Sequence, residues 1–236
     1  MKNTSTDQNT IPKSRRERPA KPALTRDGII DAGLEILRAE GLGKVTMRRI
    51  ATALDTGAAS LYVYVRDTED LHAQILDALL APVSRAKPEG DWRQRIKAVL
   101  RHYMEVLFAH PALARMAMST PASGPNYMRL VDNMLGLLLA GGVPDRNAAW
   151  GVDLLLLHAT ANAAEHSTWK ESSRAADDFA TLEAAVAAAD AKEYPHIARL
   201  SRELMSGGPD RLEWSLDLLI NGVLGTPIAF QEKEKS

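Results

Sequence analysis

The sequence predicts an all-α protein with a small three-helix N-terminal domain and a larger helical domain behind it. Apolar residues return every three or four positions in segment after segment, each bounded by Pro, Gly or Asp. Alternating β-branched runs are absent apart from Leu61 to Val65. Two short helical stretches separated only by Asp55, Thr56 and Gly57 form a helix-turn-helix, and the second of them claims Leu61 to Val65 as helix.

Thr25 caps the first helix, Asp27 favours its first turn, and Ile29, Ile30, Gly33, Leu34, Ile36 and Leu37 supply its apolar face until Gly41 stops it. Gly41-Leu42-Gly43 is a tight connector. Thr46 caps a second helix, Met47 to Leu54, with Ile50, Ala51 and Leu54 turned inward and Arg48 and Arg49 outward. A third helix starts at Gly57 or Ala58 and reaches about Tyr64. The turn before it needs a residue that tolerates positive φ, and Asp55 takes that position, since Asp visits this region at low cost.

Asp67 or Thr68 caps a fourth helix carrying Leu71, Ile75, Leu76, Leu79 and Leu80, and Pro82, Pro88 and Gly90 break the chain after it. Further helices are predicted over Asp91 to His110, Pro111 to Met118, Pro125 to Ala140, Pro144 to Trp169, Asp177 to about Tyr194 and Pro209 to Leu224. That makes nine or ten helices, divided as a basic tail over residues 1–24, a helix-turn-helix domain over 25–70 and a second domain over 71–230. The tail is polar with no apolar period and is expected to be disordered until something binds it.

Hydrophobic residues make up 45% of the chain and charged residues 25%, ordinary proportions for a globular core. The longest uncharged apolar run, around Leu154 to Leu157, is too short to span a bilayer, and the N-terminus has no apolar signal region. A cytoplasmic protein without a membrane partner is expected. Net charge is −1, but it is unevenly spread. Residues 1–26 hold seven basic side chains against two acidic, and the remainder of the chain beyond residue 68 is acidic overall. A positive end on a negative body fits one DNA-facing end, and equally a solvated tail.

The run Thr46-Met-Arg-Arg-Ile-Ala-Thr-Ala-Leu-Asp-Thr-Gly-Ala-Ala-Ser-Leu-Tyr-Val-Tyr-Val-Arg-Asp-Thr68 resembles the DNA-binding signature of the tetracycline-repressor family. The likeness extends over residues 25–80. A fainter one continues through Asp91-Trp92-Arg93, the helices around 125–169, and Tyr194-Pro195 with Glu213 to Gly222. The resemblance implies a homodimer whose two helix-turn-helix units enter successive major grooves of a palindromic operator, and a larger domain that binds ligand and dimerises. A short recognition helix offers few base contacts, so a second copy one helical turn away is needed for useful affinity.

Carried onto this sequence, Arg48 is the candidate for a guanine edge, because its fork matches O6 and N7. Ala58, Ala59 and Ser60 occupy the start of the recognition helix, where small side chains favour close approach and thymine methyl contacts. Tyr62 and Tyr64 are expected to reach phosphates through their hydroxyls, with Thr46 and Thr68 assisting at helix starts. Two tyrosines two apart on a helix point in different directions, so at least one is exposed; packing is the alternative for the other. Arg49 reads as solvated surface. Arg15, Arg16 and Arg18 are expected to track the DNA backbone or minor groove.

In the second domain His158, Asn162, Glu165, His166 and Trp169 follow Leu154 to Leu157 at spacings of three and four and are expected along one stripe of a long helix. Tyr103 and Met104 lie on another helix, and Met116, Met118 and Met134 supply adaptable side chains. Together Tyr103, Met104, Met116, Met134, His158, Asn162, His166 and Trp169 are the candidate contacts for a small, largely apolar effector. Ordinary core packing for the methionines, or a dimer interface for His158 and Asn162, is the alternative. His158 and His166 lie eight apart without a carboxylate or cysteine at ligand spacing, so no metal site is expected, and no cofactor motif is present.

Ser84 stands where the tetracycline repressor has a histidine and Val99 where it has an asparagine, so tetracycline itself is not implied. Segments 144–169 and 209–224 suit a four-helix dimer interface, with Gly151, Ala159, Ala163, Gly222 and Gly225 allowing close approach; burial within one subunit is the alternative. No nucleophile elbow, phosphate loop or paired-acid constellation supports an enzyme. Repression relieved by ligand is the expected function; activation, or DNA binding without a ligand, stays open.

Overall fold

The computed structural model describes residues 23–120 and 122–228, and among them every regular element is helical. Arg15, Arg16 and Arg18 lie outside the described residues. Helix α1 (Arg26–Glu40) starts where Thr25 Oγ1 accepts the Gly28 N–H at 3.1 Å and ends at Gly41, whose φ of 84° only glycine adopts freely. A 3₁₀ turn, Leu42–Lys44, leads to α2 (Met47–Ala53), capped by Thr46, and α3 (Ala58–Leu61) follows after four residues. Asp55 sits in that connection with φ of 48°, the positive value expected of it.

Helix α4 (Thr68–Leu79) is capped by Asp67, not Thr68, with Glu69 and Asp70 favouring its first turn. It packs along α1, where Gly33 lacks the Cβ that would sit 2.6 Å from Ile75 Cδ1. A single buried core then runs from Ile29 and Ile50 through Leu71, Ile75 and Leu80 into Leu100, Leu130 and Leu155, so the two domains share one hydrophobic interior through α4.

The second domain comprises α5 (Ala81–Arg85), α6 (Trp92–Ala109), α7 (Pro111–Ala117), α8 (Pro125–Ala140), α9 (Asp145–Glu171), α10 (Ala175–Ala187), α11 (Pro195–Leu204) and α12 (Gly208–Gly225). The Asp91–Gln94 capping box opens α6. The 27-residue α9, about 40 Å long, is the spine that α6, α7, α8 and α12 pack against.

Twelve α-helices among the described residues exceed the expected nine or ten. The extra two are α5 and α11. Pro82 and Pro195 occupy first-turn positions, where the missing N–H costs nothing and the fixed φ suits a helix. The predicted helix from Asp177 to Tyr194 instead ends as α10 at Ala187, a turn follows, and α11 begins beyond the predicted range. Both lack buried residues and lean chiefly on one another.

Gly151 faces Val223, and a Cβ there would meet its Cγ1 at 2.4 Å, so this glycine permits α9 and α12 to touch within one subunit. Ala159 and Ala163 are buried within the subunit as well, whereas Gly222 and Gly225 are exposed. Close approach at the first three positions therefore serves the subunit interior.

Candidate functional site

The N-terminal site is built on the α2–α3 pair. Ile50, Ala51 and Leu61 turn into the core and leave the opposite side chains in solvent. Thr46, exposed, spends its hydroxyl oxygen on the Arg49 N–H at 3.2 Å. Arg48 is exposed, while Arg49 is held by Glu40 at 2.6 Å, and this bond keeps the Glu40 carboxyl below the usual carboxylate range. Ala58 is half-buried; Ala59 and Ser60 are exposed at the start of α3.

Tyr62 is 57% exposed and points away from the core. Tyr64 behaves differently: its hydroxyl donates to the Leu24 carbonyl at 2.7 Å, fastening the chain just ahead of α1 to the end of the recognition segment. The single phenolic proton is thus used inside the subunit, which removes Tyr64 as a phosphate donor in this conformation. Thr68 is half-buried in the first turn of α4. Val63, 80% exposed between the two tyrosines in the turn after α3, belongs to the same surface.

The second-domain candidates do not converge on one place. Tyr103 is buried, and its hydroxyl lies 2.9 Å from Thr160 Oγ1, whose own proton is donated to the Leu156 carbonyl, so Tyr103 is the donor. Burial pushes the Tyr103 phenol up to about 12, against the opposing pull of the Thr160 hydrogen bond. Tyr103, Tyr127, Leu156, Leu157, Thr160 and Met118 border a cavity of about 240 Å³ between α6, α8, α9 and the segment after α7. Tyr127, Thr160 and Thr120 lie on this wall, and no spacing in the sequence relates them to Tyr103.

Met104 and Met134 are fully buried and line neither this cavity nor the other openings described below; helical spacing directs them to the packed stripe between α6 and α8, where methionine fills core. Met116 is half-buried against the same core.

Asn162, His166 and Trp169 border a different cleft of about 630 Å³ beside Phe108, Arg211 and Leu212. The His166 ring stands edge-on to Phe108 at 5.0 Å, and Trp169 stands edge-on to Phe179 at 5.6 Å. His158 lines neither opening. Its Nε2 lies 2.8 Å from Ser215 Oγ, which itself donates to the Leu212 carbonyl, and 3.2 Å from Asn162 Nδ2, so the imidazole is tied into the α9–α12 contact. Burial holds the His158 pKa below the ordinary histidine value, favouring the neutral ring.

A stripe of large apolar side chains remains uncovered on the same two helices. Trp150, Leu154 and Leu157 on α9, and Trp214 and Leu218 on α12, are all exposed, Trp150 by 62% and Trp214 by 64%. Within the subunit α9 and α12 are adjacent, and Asn147 Nδ2 fastens them by donating to the carbonyls of Val223 and Thr226 at 2.8 and 2.7 Å.

Residues 29–75 match the family described as bacterial regulatory proteins, tetR family, and residues 84–226 match the tetracyclin repressor-like C-terminal domain. A Streptomyces transcription regulator of known crystal structure is 48% identical, with 89% of this chain and 100% of that chain covered and a TM-score of 0.72. The Streptomyces coelicolor protein ActR, solved in complex with actinorhodin, is 35% identical over 86% of this chain and 96% of its own, with a TM-score of 0.75.

The transcriptional repressor DrrR1 of Streptomyces coeruleorubidus is 35% identical over 133 residues, 56% of this chain and 49% of that protein. The chain spans about half the length of the first curated relatives it matches, 49% and 52%. With both family models matched in chain order on an all-helical fold, the chain belongs to the tetracycline-repressor family of bacterial regulators.

Proposed function

We propose that the chain acts as a homodimeric transcriptional repressor in the cytoplasm, gripping a palindromic operator with α2 and α3 and releasing it when a small molecule enters the second domain. The observation that carries this reading is the α2–turn–α3 unit itself. Asp55 turns the chain at positive φ, Leu61 anchors α3 in the core, and Arg48, Ala59, Ser60 and Tyr62 are left in solvent. Arg48 then reads a base edge and Tyr62 reaches a phosphate.

Pairing of two copies is supported by the uncovered stripe on α9 and α12. Side chains at 150, 154 and 157, and at 214 and 218, repeat at the four- and three-residue steps that build a helix seam, and two such faces related by a twofold axis make a four-helix contact. Response to a small molecule is supported by the Tyr103–Thr160 cavity and by ActR, a relative solved with actinorhodin bound. The DNA-binding domain and this cavity are connected through α4, so a ligand that fits one spacing of the two headpieces better than another shifts affinity for DNA.

The test is selection of duplexes from a random library by the purified chain, followed by gel-shift titration of Arg48→Ala and Tyr62→Phe on the selected duplex. Loss of affinity is expected in both variants, with a shallower salt dependence in Arg48→Ala, which removes a charge. Unchanged affinity and salt slope in both would remove α2–α3 as the DNA surface.

A further inference from the structure

A cleft of about 730 Å³ opens between α5, α6 and α8, and its lining is unlike that of the other two cavities. Four cations from three stretches of the chain converge on it: Arg85 at the end of α5 with Lys87 just beyond, Arg95 on α6 and Arg129 on α8. A single carboxylate, Asp132, shares the lining. Among the described residues none of these four cations takes part in an ion pair, although Lys97 and Arg101, on the same helix as Arg95, are both paired to α12.

Arg95 carries the sharper signal. Its Nε is buried and has no hydrogen-bond partner, the one such side-chain atom among the described residues. A guanidinium cannot shed its proton to escape this cost. A buried charged donor without an acceptor is among the more expensive defects a fold can retain, and one such atom in a native protein calls for a missing partner. The partner that satisfies a guanidinium best is a carboxylate, which meets its planar fork with two parallel hydrogen bonds.

The rest of the lining says what carries the carboxylate. Val99 and Leu137 are largely buried apolar side chains that line this cleft, and Gly136 and Ala140 widen it on the α8 side. An inorganic anion would leave that floor empty, whereas an apolar skeleton covers it, and the volume falls within the range of small-molecule sites. Val99 stands one helical turn from Tyr103, so this cleft and the Tyr103 cavity are two openings on one α6–α8 seam. The cleft also abuts the chain leaving the DNA-binding domain, since Asn133 Nδ2 on α8 donates to the Ser84 carbonyl at 2.6 Å.

We propose that the effector is an amphipathic organic acid, its carboxylate held by Arg95 with Arg129, Arg85 and Lys87 around it, and its apolar body on Val99 and Leu137. This rests on the effector-responsive reading above and names the ligand chemistry of that seam.

The experiment is isothermal titration of the full chain with benzoate, naphthoate and anthracene carboxylate, each beside its uncharged amide, repeated on Arg95→Gln and Arg129→Gln. Circular dichroism melting of both variants checks that they fold, and Arg129, being exposed, is the variant that keeps the test open if Arg95→Gln does not. At least one acid is expected to bind about tenfold or more tightly than its amide, and that preference is expected to disappear in the variants.

The proposal is overturned if no acid outperforms its amide, or if the preference survives both substitutions. It is overturned too if the substitutions weaken DNA binding and flatten its salt dependence while acid binding is untouched, because the cations then serve phosphates. Duplex selection on the same preparation separates the two claims. A chain that selects an operator yet treats acids and amides alike loses only the ligand class, and a chain that selects no duplex loses the repressor reading whatever the acids do.

Discussion

The Asp77 carboxylate on α4 accepts the backbone N–H of Tyr127 on α8 at 2.8 Å. The same carboxylate accepts the Asn126 N–H at 3.0 Å and its side-chain amide at 3.1 Å, so a residue of the helix that joins the DNA-binding domain to the rest caps a helix that borders the Tyr103 cavity. Asp77 is 8% exposed, and Gly124 leaves room for it, since a Cβ there would meet its Cγ at 2.1 Å.

Asp77→Ala is expected to lower stability by about 2–4 kcal/mol, combining a lost cap with stranded donors. Asp77→Asn retains an acceptor oxygen and is expected to recover part of the loss. Urea midpoints of the three proteins measure it, and equal midpoints for wild type and Asp77→Ala would show the cap to be dispensable.

The two tyrosines of the recognition segment are expected to part company. Tyr64→Phe breaks the bond to the Leu24 carbonyl and costs about 1 kcal/mol of stability, leaving operator affinity nearly unchanged once folding is complete. Tyr62→Phe is expected to do the reverse. Fluorescence anisotropy on the selected duplex, beside thermal melts, reads both effects.

Much of this N-terminal region was legible in the sequence. Thr25, Thr46 and Gly41 are local signals, and Asp55 could be assigned its positive φ because a three-residue turn between short helices leaves few alternatives. The inward bond of Tyr64 was not legible, because its partner is a carbonyl forty positions away. In the second domain the polar residues from His158 to Trp169 sit close in sequence, yet the helix splits them between the α12 contact and an open cleft. Arg85, Arg95 and Arg129 show the converse: nothing along the chain relates them, and only the packing of α5, α6 and α8 brings them together. Spacing reports which residues share a helix face, and tertiary packing decides what that face meets.

Alkaline stability isolates Tyr103. Its folded pKa of about 12 lies above the ordinary phenol value of 10.0, so the unfolded chain releases this proton first. The contribution is fully present below pH 10.0, and declines as pH rises to about 12, at up to roughly 1.4 kcal/mol per pH unit. Tyr103→Phe should melt less steeply with pH than wild type over that window. Parallel curves would mean that Tyr103 ionises as freely when folded as when unfolded.

Charging the α9–α12 stripe should separate the subunits. Leu154→Glu combined with Leu218→Glu places like charges on both sides of a twofold contact, at positions exposed in the single subunit, where the folded monomer loses little. Sedimentation velocity is expected to give a dimer for wild type and a monomer for the double variant, with operator affinity reduced at least a hundredfold because each headpiece then binds alone.

The most direct measurement is the stoichiometry and footprint of the chain on its selected duplex, by native mass spectrometry and hydroxyl-radical cleavage. The expected result is subunits bound in pairs, protecting an inverted repeat with half-sites about one helical turn apart. A single subunit per site, or protection without twofold symmetry, would contradict a symmetric pair of α2–α3 units reading DNA.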